Sequence, residues 1–367
     1  MKKWLRNATL GFAAVVALSA CGAGNDDNGD NATGDGTTDA SDFTVGMVTD
    51  VGGIDDKSFN QSAWEGLQAF GEDLNLVENT NYSYVQSANE NEFEPNLRNL
   101  VREDTDLVWG IGFLMEDAIR TIAEQNEDAQ LAIVDTVVLN PDTKEPYDNI
   151  ANITFKEHEG SFLAGVVAAL ESETDQIGFI GGVESGLIKK FEVGFKAGVK
   201  AVNPDAEIAV QYVESFNDQT TAQQIANTMY SQGADIIYHA AGDSGNGLFT
   251  EAINRARNGE NVWVIGVDAD QYEQGVYGDE SVTLTSMVKR VDVAVALVSE
   301  DTMNGNFPGG QVLEYGLDDN GVGISESTQN LSDGTEDEVD NYREQILSGE
   351  IEVPQTDEEY DEFVSGL

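Results

Sequence analysis

Two successive stretches in which strand and helix signals alternate constrain the fold of this chain more than any other feature. Between residues 43 and 155, short apolar runs such as 107–111 alternate with segments whose apolar side chains recur at helical spacing. Residues 156–280 repeat this rhythm, for example with the run 176–181. Strand–helix alternation builds parallel sheets with helices on both faces. The sequence therefore predicts an α/β protein with two doubly wound lobes and a ligand cleft between them.

The remaining segments differ from the two lobes in composition. Residues 22–42 are rich in Gly, Asn, Asp and Thr and contain no apolar cluster, which predicts a flexible tether. We divide the chain into a signal peptide (1–20), a lipidated cysteine with an acidic tether (21–42), a first lobe (43–155, joined by part of 281–305), a second lobe (156–280), and a C-terminal return segment with acidic surface helices (306–367).

The amino-terminal residues have the pattern of an export signal. Three basic side chains precede an apolar run at residues 8–18, which is too short to span a membrane. Residues 18–21 read Leu-Ser-Ala-Cys, and Cys21 is the only cysteine of the chain. This sequence resembles a bacterial lipobox, which predicts lipidation of Cys21 and a body anchored at the extracytoplasmic face of the cell membrane. The alternatives are an ordinary cleavage site of a secreted protein and a buried helix.

The charge of the chain excludes several classes of function. With 68 acidic and 18 basic side chains, the formal net charge is −50. Such a surface repels the phosphates of a nucleic acid, and a single cysteine forms neither an internal disulfide nor a thiolate zinc site. The acidic residues are spread along the chain, which favours adaptation to a salty medium, with simple solubility as the alternative.

Polar and aromatic residues follow several of the predicted strands. In the turn at residues 50–60, Phe59 and Asn60 can stack on and hydrogen-bond a planar ligand. The alternative is a structural turn in which Asp55 or Ser58 caps the next helix. Near 110–117, the acidic residues at a helix start, including Asp117, can simply complement the helix dipole.

Three further candidates lie in the second half of the chain. Asp268 ends a predicted strand, where a carboxylate suits a pair of sugar hydroxyls, and Lys289 can neutralise it or form a salt bridge at a helix start. The Gly-rich turn at Gly242 allows a ligand to approach the backbone, unless it is an ordinary connection. Phe191 can face the cleft, although an aromatic residue at helical spacing is often part of a core.

Taken together, these segments resemble one family in both sequence and order. It is the basic membrane protein family of lipoproteins, the substrate-binding components of ABC importers that include purine nucleoside receptors. The matching segments are residues 53–61, 112–118, 159–165, 194–198, 266–271 and 286–289, together with the lipobox. The resemblance implies a periplasmic-binding-protein type I body, a nucleoside held between the lobes, a permease partner, and no cofactor, metal or enzymatic activity.

The resemblance also implies roles for individual residues. It places the nucleobase between Phe59 and Phe191 and the ribose on Asp268 and Lys289. An acid that contacts the base would be Asp117. The remaining implied ligand contacts are Asp56, Asn60 and the backbone of Gly242.

Other classes of protein remain as competing interpretations. A ligand-sensing lipoprotein would share the cleft but signal to a receptor. A nucleoside hydrolase is disfavoured because residues 48–56 have Val48 and Val51 where the calcium-binding motif of those enzymes has Asp and Pro, and they contain one inserted residue. Only His158 and His239 supply imidazoles for acid–base catalysis. A structural adhesin is disfavoured by the absence of sequence repeats.

Overall fold

The computed structural model describes residues 40–367, so the predicted signal peptide, Cys21 and nearly all of the tether lie outside the described residues. The strands are β1 (Val45–Thr49), β2 (Tyr82–Gln86), β3 (Leu107–Ile111), β4 (Leu131–Val134), β5 (Ile150–Phe155), β6 (Gln176–Gly181), β7 (Glu207–Tyr212), β8 (Ile236–Ala240), β9 (Trp263–Asp268), β10 (Val276–Tyr277), β11 (Glu280–Ser281), β12 (Thr283–Lys289), β13 (Val312–Tyr315) and β14 (Val322–Ile324). The α-helices are α1 (Phe59–Leu74), α2 (Phe93–Arg102), α3 (Glu116–Gln125), α4 (Glu157–Glu171), α5 (Gly186–Val202), α6 (Gln219–Ser231), α7 (Asn246–Arg257), α8 (Val291–Met303), α9 (Thr335–Ser348) and α10 (Asp357–Gly366).

Two six-stranded sheets form the centres of the two lobes. The first sheet has the strand order β13-β5-β4-β3-β1-β2, and each of its strand pairs is parallel. The second has the order β14-β12-β9-β8-β6-β7, with β14 antiparallel to β12 and the other pairs parallel. Every residue of β1, β3 and β8 is buried, as expected for strands covered by helices on both faces. The predicted α/β class with two doubly wound lobes is confirmed.

Close helix packing in the second lobe depends on glycine. A Cβ atom on Gly198 would lie 1.9 Å from the carbonyl oxygen of Phe162, and one on Gly165 would lie 2.2 Å from that of Phe195. Helices α4 and α5 therefore approach each other at a distance that a larger residue would prevent. This contact supports α5, the helix that presents Phe191 to the space between the lobes.

The chain crosses between the lobes three times, at Lys156, at Arg290 and at residues 316–321. The crossing segments are hydrogen-bonded side by side. The Lys156 N–H donates to the carbonyl of Tyr315 at 2.8 Å, and the Arg290 N–H donates to that of Gly321 at 2.8 Å. These segments form the chain connections between the two lobes.

Two details differ from the sequence-based expectations. The second lobe was predicted to end at residue 280, but β12 belongs to the second sheet. Part of 281–305 was predicted to join the first lobe, and within that range α8 packs on α1 of the first lobe. The chain thus returns to the first lobe at Arg290. Strands β13 and β14 had no clear sequence signal, because they are edge strands of only four and three residues, and residues 312–315 alternate between exposed and half-buried positions.

Candidate ligand-binding site

A cavity of about 540 Å³, partly open to solvent, lies between the carboxyl ends of the strands of both sheets. Small-molecule sites typically occupy this position. Five aspartates, one lysine and four phenylalanines are among its lining residues. The lining residues are Asp50, Gly52, Asp56, Phe59, Asn60, Gly112, Phe113, Leu114, Asp135, Leu187, Ile188, Phe191, Phe216, Ala240, Ala241, Gly242, Asp243, Val267, Asp268 and Lys289.

The turn between β1 and α1 is organised by the carboxylate of Asp56. Its Oδ1 accepts hydrogen bonds from the backbone N–H groups of Ser58 and Gln61, at 3.0 and 3.1 Å. Its Oδ2 accepts from the backbone and side-chain amides of Asn60, at 2.8 and 2.9 Å. Asp56 therefore satisfies the first N–H groups of α1, a role that the sequence interpretation gave to Asp55 or Ser58.

Asn60 links this turn to a second buried carboxylate. Its Nδ2 donates to Oδ1 of Asp50 at 2.7 Å, and its Oδ1 accepts from the backbone N–H of Asp50 at 3.1 Å. Burial raises the pKa of Asp50 to about 6 against the opposing hydrogen bonds from Gly52 and Asn60. Burial likewise raises the pKa of Asp56 to about 7. The first-lobe wall of the cavity thus has carboxyl groups that titrate near neutral pH.

Lys289 lies between two aromatic side chains and is paired with acidic residues from both lobes. Its Nζ lies 4.8 Å from the ring centre of Phe59 and 5.4 Å from that of Phe191, so the two rings border the same small space. The same Nζ donates to Oδ2 of Asp135 at 2.7 Å and lies 3.7 Å from Oδ1 of Asp268. Asp135 follows β4 of the first lobe, whereas Lys289 ends β12 of the second.

Burial and the neighbouring charges shift the pKa values of Lys289 and Asp268 in opposite directions. Lys289 is 1% exposed. Burial alone would lower its pKa, but the nearby Asp135 and Asp268 carboxylates outweigh burial and raise that pKa above its ordinary value. Burial raises the pKa of Asp268 despite the attraction of Lys289. Asp268 also has a φ of +63°, a left-handed conformation that few non-glycine residues adopt.

Seven of the eight residues predicted as ligand contacts line this cavity. They are Asp56, Phe59, Asn60, Phe191, Gly242, Asp268 and Lys289. Asp117 does not, because its side chain is 92% exposed and pairs with Arg120 at 2.5 Å on the outer face of α3. In that segment the cavity is lined by Gly112 and the two residues after it, which precede the helix.

Several lining residues were missed by the sequence interpretation. Asp50 and Asp135 each directly follow a strand of the first sheet. Asp268 was selected as a carboxylate at the carboxyl end of a strand, and the same criterion could have selected these two residues. Phe113 and Phe216 come from opposite lobes and make an edge-to-face contact with ring centres 6.1 Å apart. Phe216 had no sequence signal, since it lies in a turn whose position across the cleft depends on the tertiary fold.

The two histidines lie away from the cavity wall. Burial lowers the pKa of His158 to about 3 and that of His239 to about 4. Among residues 40–367, no three His, Cys, Asp or Glu side chains are grouped in a way that would hold a metal ion. Across the same residues, no helix is both long enough and apolar enough to cross a lipid bilayer.

Comparisons with known proteins give the family. Residues 43–357 match the Bmp family, described as "ABC transporter substrate-binding protein PnrA-like". A "CD4+ T-cell-stimulating antigen" of Listeria innocua is 48% identical, with 94% of this chain and 96% of the relative covered. The "ABC transporter nucleoside-binding protein BmpA" of Lactococcus lactis is 36% identical, with 96% and 99% covered.

A solved structure supports the same assignment. An ABC transporter solute-binding protein from Aeropyrum pernix is similar, with a TM-score of 0.75 and 26% identity, over 87% of this chain and 96% of that protein. The two lobes thus form a fold of the periplasmic-binding-protein type I kind. The family model, the Lactococcus lactis relative and the Aeropyrum pernix protein are described as substrate-binding, nucleoside-binding and solute-binding proteins, respectively, of ABC transporters. The chain therefore belongs to the Bmp family of ABC transporter substrate-binding proteins.

Proposed function

We propose that this substrate-binding protein captures a purine nucleoside in the cavity between its lobes and delivers it to a membrane permease. The observation that carries the proposal is the position of Lys289, whose ammonium group borders the rings of Phe59 and Phe191 and pairs with Asp268. A planar base fits against aromatic rings, and stacking contributes about 1–3 kcal/mol per base. The name of the Lactococcus lactis relative supports a nucleoside as the ligand.

The polar groups at the cavity suit the two parts of a nucleoside. A carboxylate such as Asp268 accepts two hydrogen bonds, which matches a pair of ribose hydroxyls, and Lys289 donates to ring or hydroxyl oxygens. On the first-lobe side, the carboxylates of Asp50 and Asp135 offer acceptors for N–H groups at the edge of a base. A site built for hydroxyls and amides discriminates strongly against analogues that lack them.

The charge of the cavity supports a neutral ligand. In the described part of the chain, five aspartates and one lysine line the space, so a phosphate group would add negative charge where these residues supply a single balancing cation. We therefore expect nucleosides to bind and nucleotides to be excluded.

The proposed location follows from the sequence. Lipidation of Cys21 would hold the body at the extracytoplasmic face of the membrane on the tether of residues 22–42. Replacement of Cys21 by Ala should release the protein from the membrane fraction and abolish incorporation of labelled palmitate. Retention of both properties in the variant would contradict the anchor.

Calorimetric titration tests the ligand. The wild-type chain should bind guanosine, adenosine or inosine, and it should bind neither the corresponding monophosphates nor free ribose. Phe59→Ala and Asp268→Asn should weaken binding at least tenfold, a loss of about 1.4 kcal/mol or more. Asp117→Asn is the matched control, because this carboxylate is exposed and outside the cavity. Binding of sugars or amino acids alone would refute the nucleoside proposal.

Transport requires a separate experiment. Deletion of the gene should abolish uptake of the radiolabelled nucleoside at concentrations near the dissociation constant. Normal uptake in the deletion strain, with binding intact, would favour a sensor that signals to a receptor.

A further inference from the structure

The turn that carries Phe59 and Asn60 is held by the opposite lobe at three consecutive residues. Oγ of Ser58 donates to Oδ2 of Asp268 at 2.6 Å. The carbonyl of Lys57 accepts from Nε2 of Gln271 at 2.9 Å, and the carbonyl of Asp56 accepts from Nδ2 of Asn246 at 3.1 Å. Each donor–acceptor pair joins the first lobe to the second, so these bonds exist only while the lobes are closed.

Of the three second-lobe residues that contact this turn, Gln271 has a side-chain amide whose orientation is fixed by a further hydrogen bond. Its Oε1 accepts from the backbone N–H of Val267 at 2.9 Å, and this donor identifies the oxygen of the amide. The same oxygen lies 3.0 Å from Nε2 of His239. His239 must therefore donate from Nε2, and the Gln271 Nε2 is left to donate across the cleft to Lys57.

His239 is enclosed in a way that preserves this arrangement. Its ring is fully buried, and a Cβ on Gly245 would lie 2.2 Å from it. The ring also packs edge-to-face on Phe249, with centres 5.7 Å apart. Within the described chain, its Nδ1 has no hydrogen-bond partner, which agrees with a neutral ring protonated at Nε2. The imidazole thus has one polar contact, and that contact is Gln271.

We infer that Gln271 is a lobe-closing contact of the binding cycle and that His239 is its positioning residue, so that the pair slows the release of bound ligand. The inference rests on the proposed function, because it assigns to the pair the retention of the captured nucleoside. We expect the ligand-free chain to populate the closed arrangement and bound ligand to favour it further, so a weaker closing contact should chiefly speed dissociation.

Stopped-flow binding of the best nucleoside to the full chain tests this role. A neutral hydrogen bond has a net value that corresponds to about a 2- to 12-fold change in equilibrium. Gln271→Glu keeps the acceptor for Val267 and His239 but loses the donor to Lys57. Gln271→Met loses both the acceptor and the donor. Both variants should release ligand about 2- to 12-fold faster, whereas faster release from the Met variant alone would overturn the inference.

A double-mutant cycle tests whether His239 acts through Gln271. His239→Phe keeps a ring of similar size and removes the donor. If the role is positioning, the His239→Phe/Gln271→Met double variant should release ligand no faster than Gln271→Met alone. Additive effects would show that His239 acts by another route. The control is Asn330→Leu, which loses two amide hydrogen bonds to Ser281 and Thr283 inside the second lobe and none across the cleft.

A ligand-free measurement separates failure of this inference from failure of the proposed function. Amide hydrogen exchange at residues 56–61 should be faster in Gln271→Met and His239→Phe, and unchanged in Asn330→Leu. If nucleosides do not bind the wild-type chain, the proposed function fails, and the exchange pattern still decides the inference. Unchanged exchange in the Gln271 and His239 variants would overturn it, whatever the ligand.

Discussion

Among residues 40–367, Lys289 is the only cationic side chain that lines the cavity, and its replacement by Met removes that charge. Lys289 Nζ lies 2.7 Å from an oxygen of Asp135 and 3.7 Å from one of Asp268, and each of the three side chains is at most 7% exposed. Methionine has a similar length and no charge. The variant therefore leaves two buried carboxylates close together, and none of the other described residues that line the cavity is positively charged.

The distance between Lys289 and Asp135 sets the size of the expected loss of stability. At 2.7 Å and an effective dielectric constant of about 20, the attraction between Lys289 and Asp135 is about 6 kcal/mol. The cost of burying the lysine offsets part of this, and breaking buried pairs by removing one partner typically costs about 3–5 kcal/mol. We expect Lys289→Met to lower the free energy of unfolding by about that amount at pH 8.

The loss of stability in Lys289→Met should grow as the pH rises. Burial already raises the pKa of Asp268, and removal of the lysine raises it further. The folded variant then favours the protonated acid, whereas the unfolded chain ionises above about pH 4. The deficit should therefore be small near pH 4.5 and grow as the pH rises towards 8.

Urea unfolding at pH 4.5 and pH 8, at one salt concentration, measures this difference. Lys144→Met is the control, since Lys144 is exposed and lines no part of the cavity. An equal deficit at both pH values, or a variant as stable as the wild type at pH 8, would refute the electrostatic argument.

Three further predictions follow from burial, packing and surface charge. Because burial raises the pKa of Asp56 to about 7, this group makes the wild type less stable as the pH rises from about 4 to 7; urea midpoints should fall less steeply in Asp56→Asn, and equal slopes would contradict this. Gly198→Ala should destabilise by about 1–3 kcal/mol because its Cβ meets the carbonyl of Phe162. Gly186→Ala, with open space around its Cβ, should be neutral or stabilising in the same thermal-unfolding assay, and equal losses would argue against close helix packing. Raising KCl from about 0.1 to 2 M should raise the unfolding temperature through screening of the net charge of −50, and no change would contradict adaptation to salt.

The fold was predictable because its signals are local. The buried strands β1, β3 and β8 are continuous apolar runs, and helices with one apolar face separate them. The edge strands β13 and β14 were not predictable in the same way, since they are short and half-exposed. Their pairing depends on where the chain crosses between the lobes, which is a property of the whole topology.

Most of the site residues that were predicted end a strand or lie at the start of the following helix, whereas Phe191 lies within α5 and its role was implied by the family resemblance. Asp268 and Lys289 met that condition, and so did Phe59 and Asn60. Asp117 illustrates the limit of the rule, because one turn of helix beyond the strand end is enough to direct a side chain to solvent. Asp135, only one residue after β4, faces the cavity instead.

The acidity of the surface and the acidity of the cavity obey different physics. Exposed carboxylates repel one another through water, where salt reduces the repulsion over a few Å. Asp135 and Asp268 are buried beside Lys289 at distances that the fold fixes. Dissolved cations therefore do not take the place of the lysine. A ligand without net charge leaves this internal balance intact, whereas a phosphate would disturb it. Salt should therefore govern how firmly the chain stays folded, while the Lys289 cluster governs which ligands it accepts.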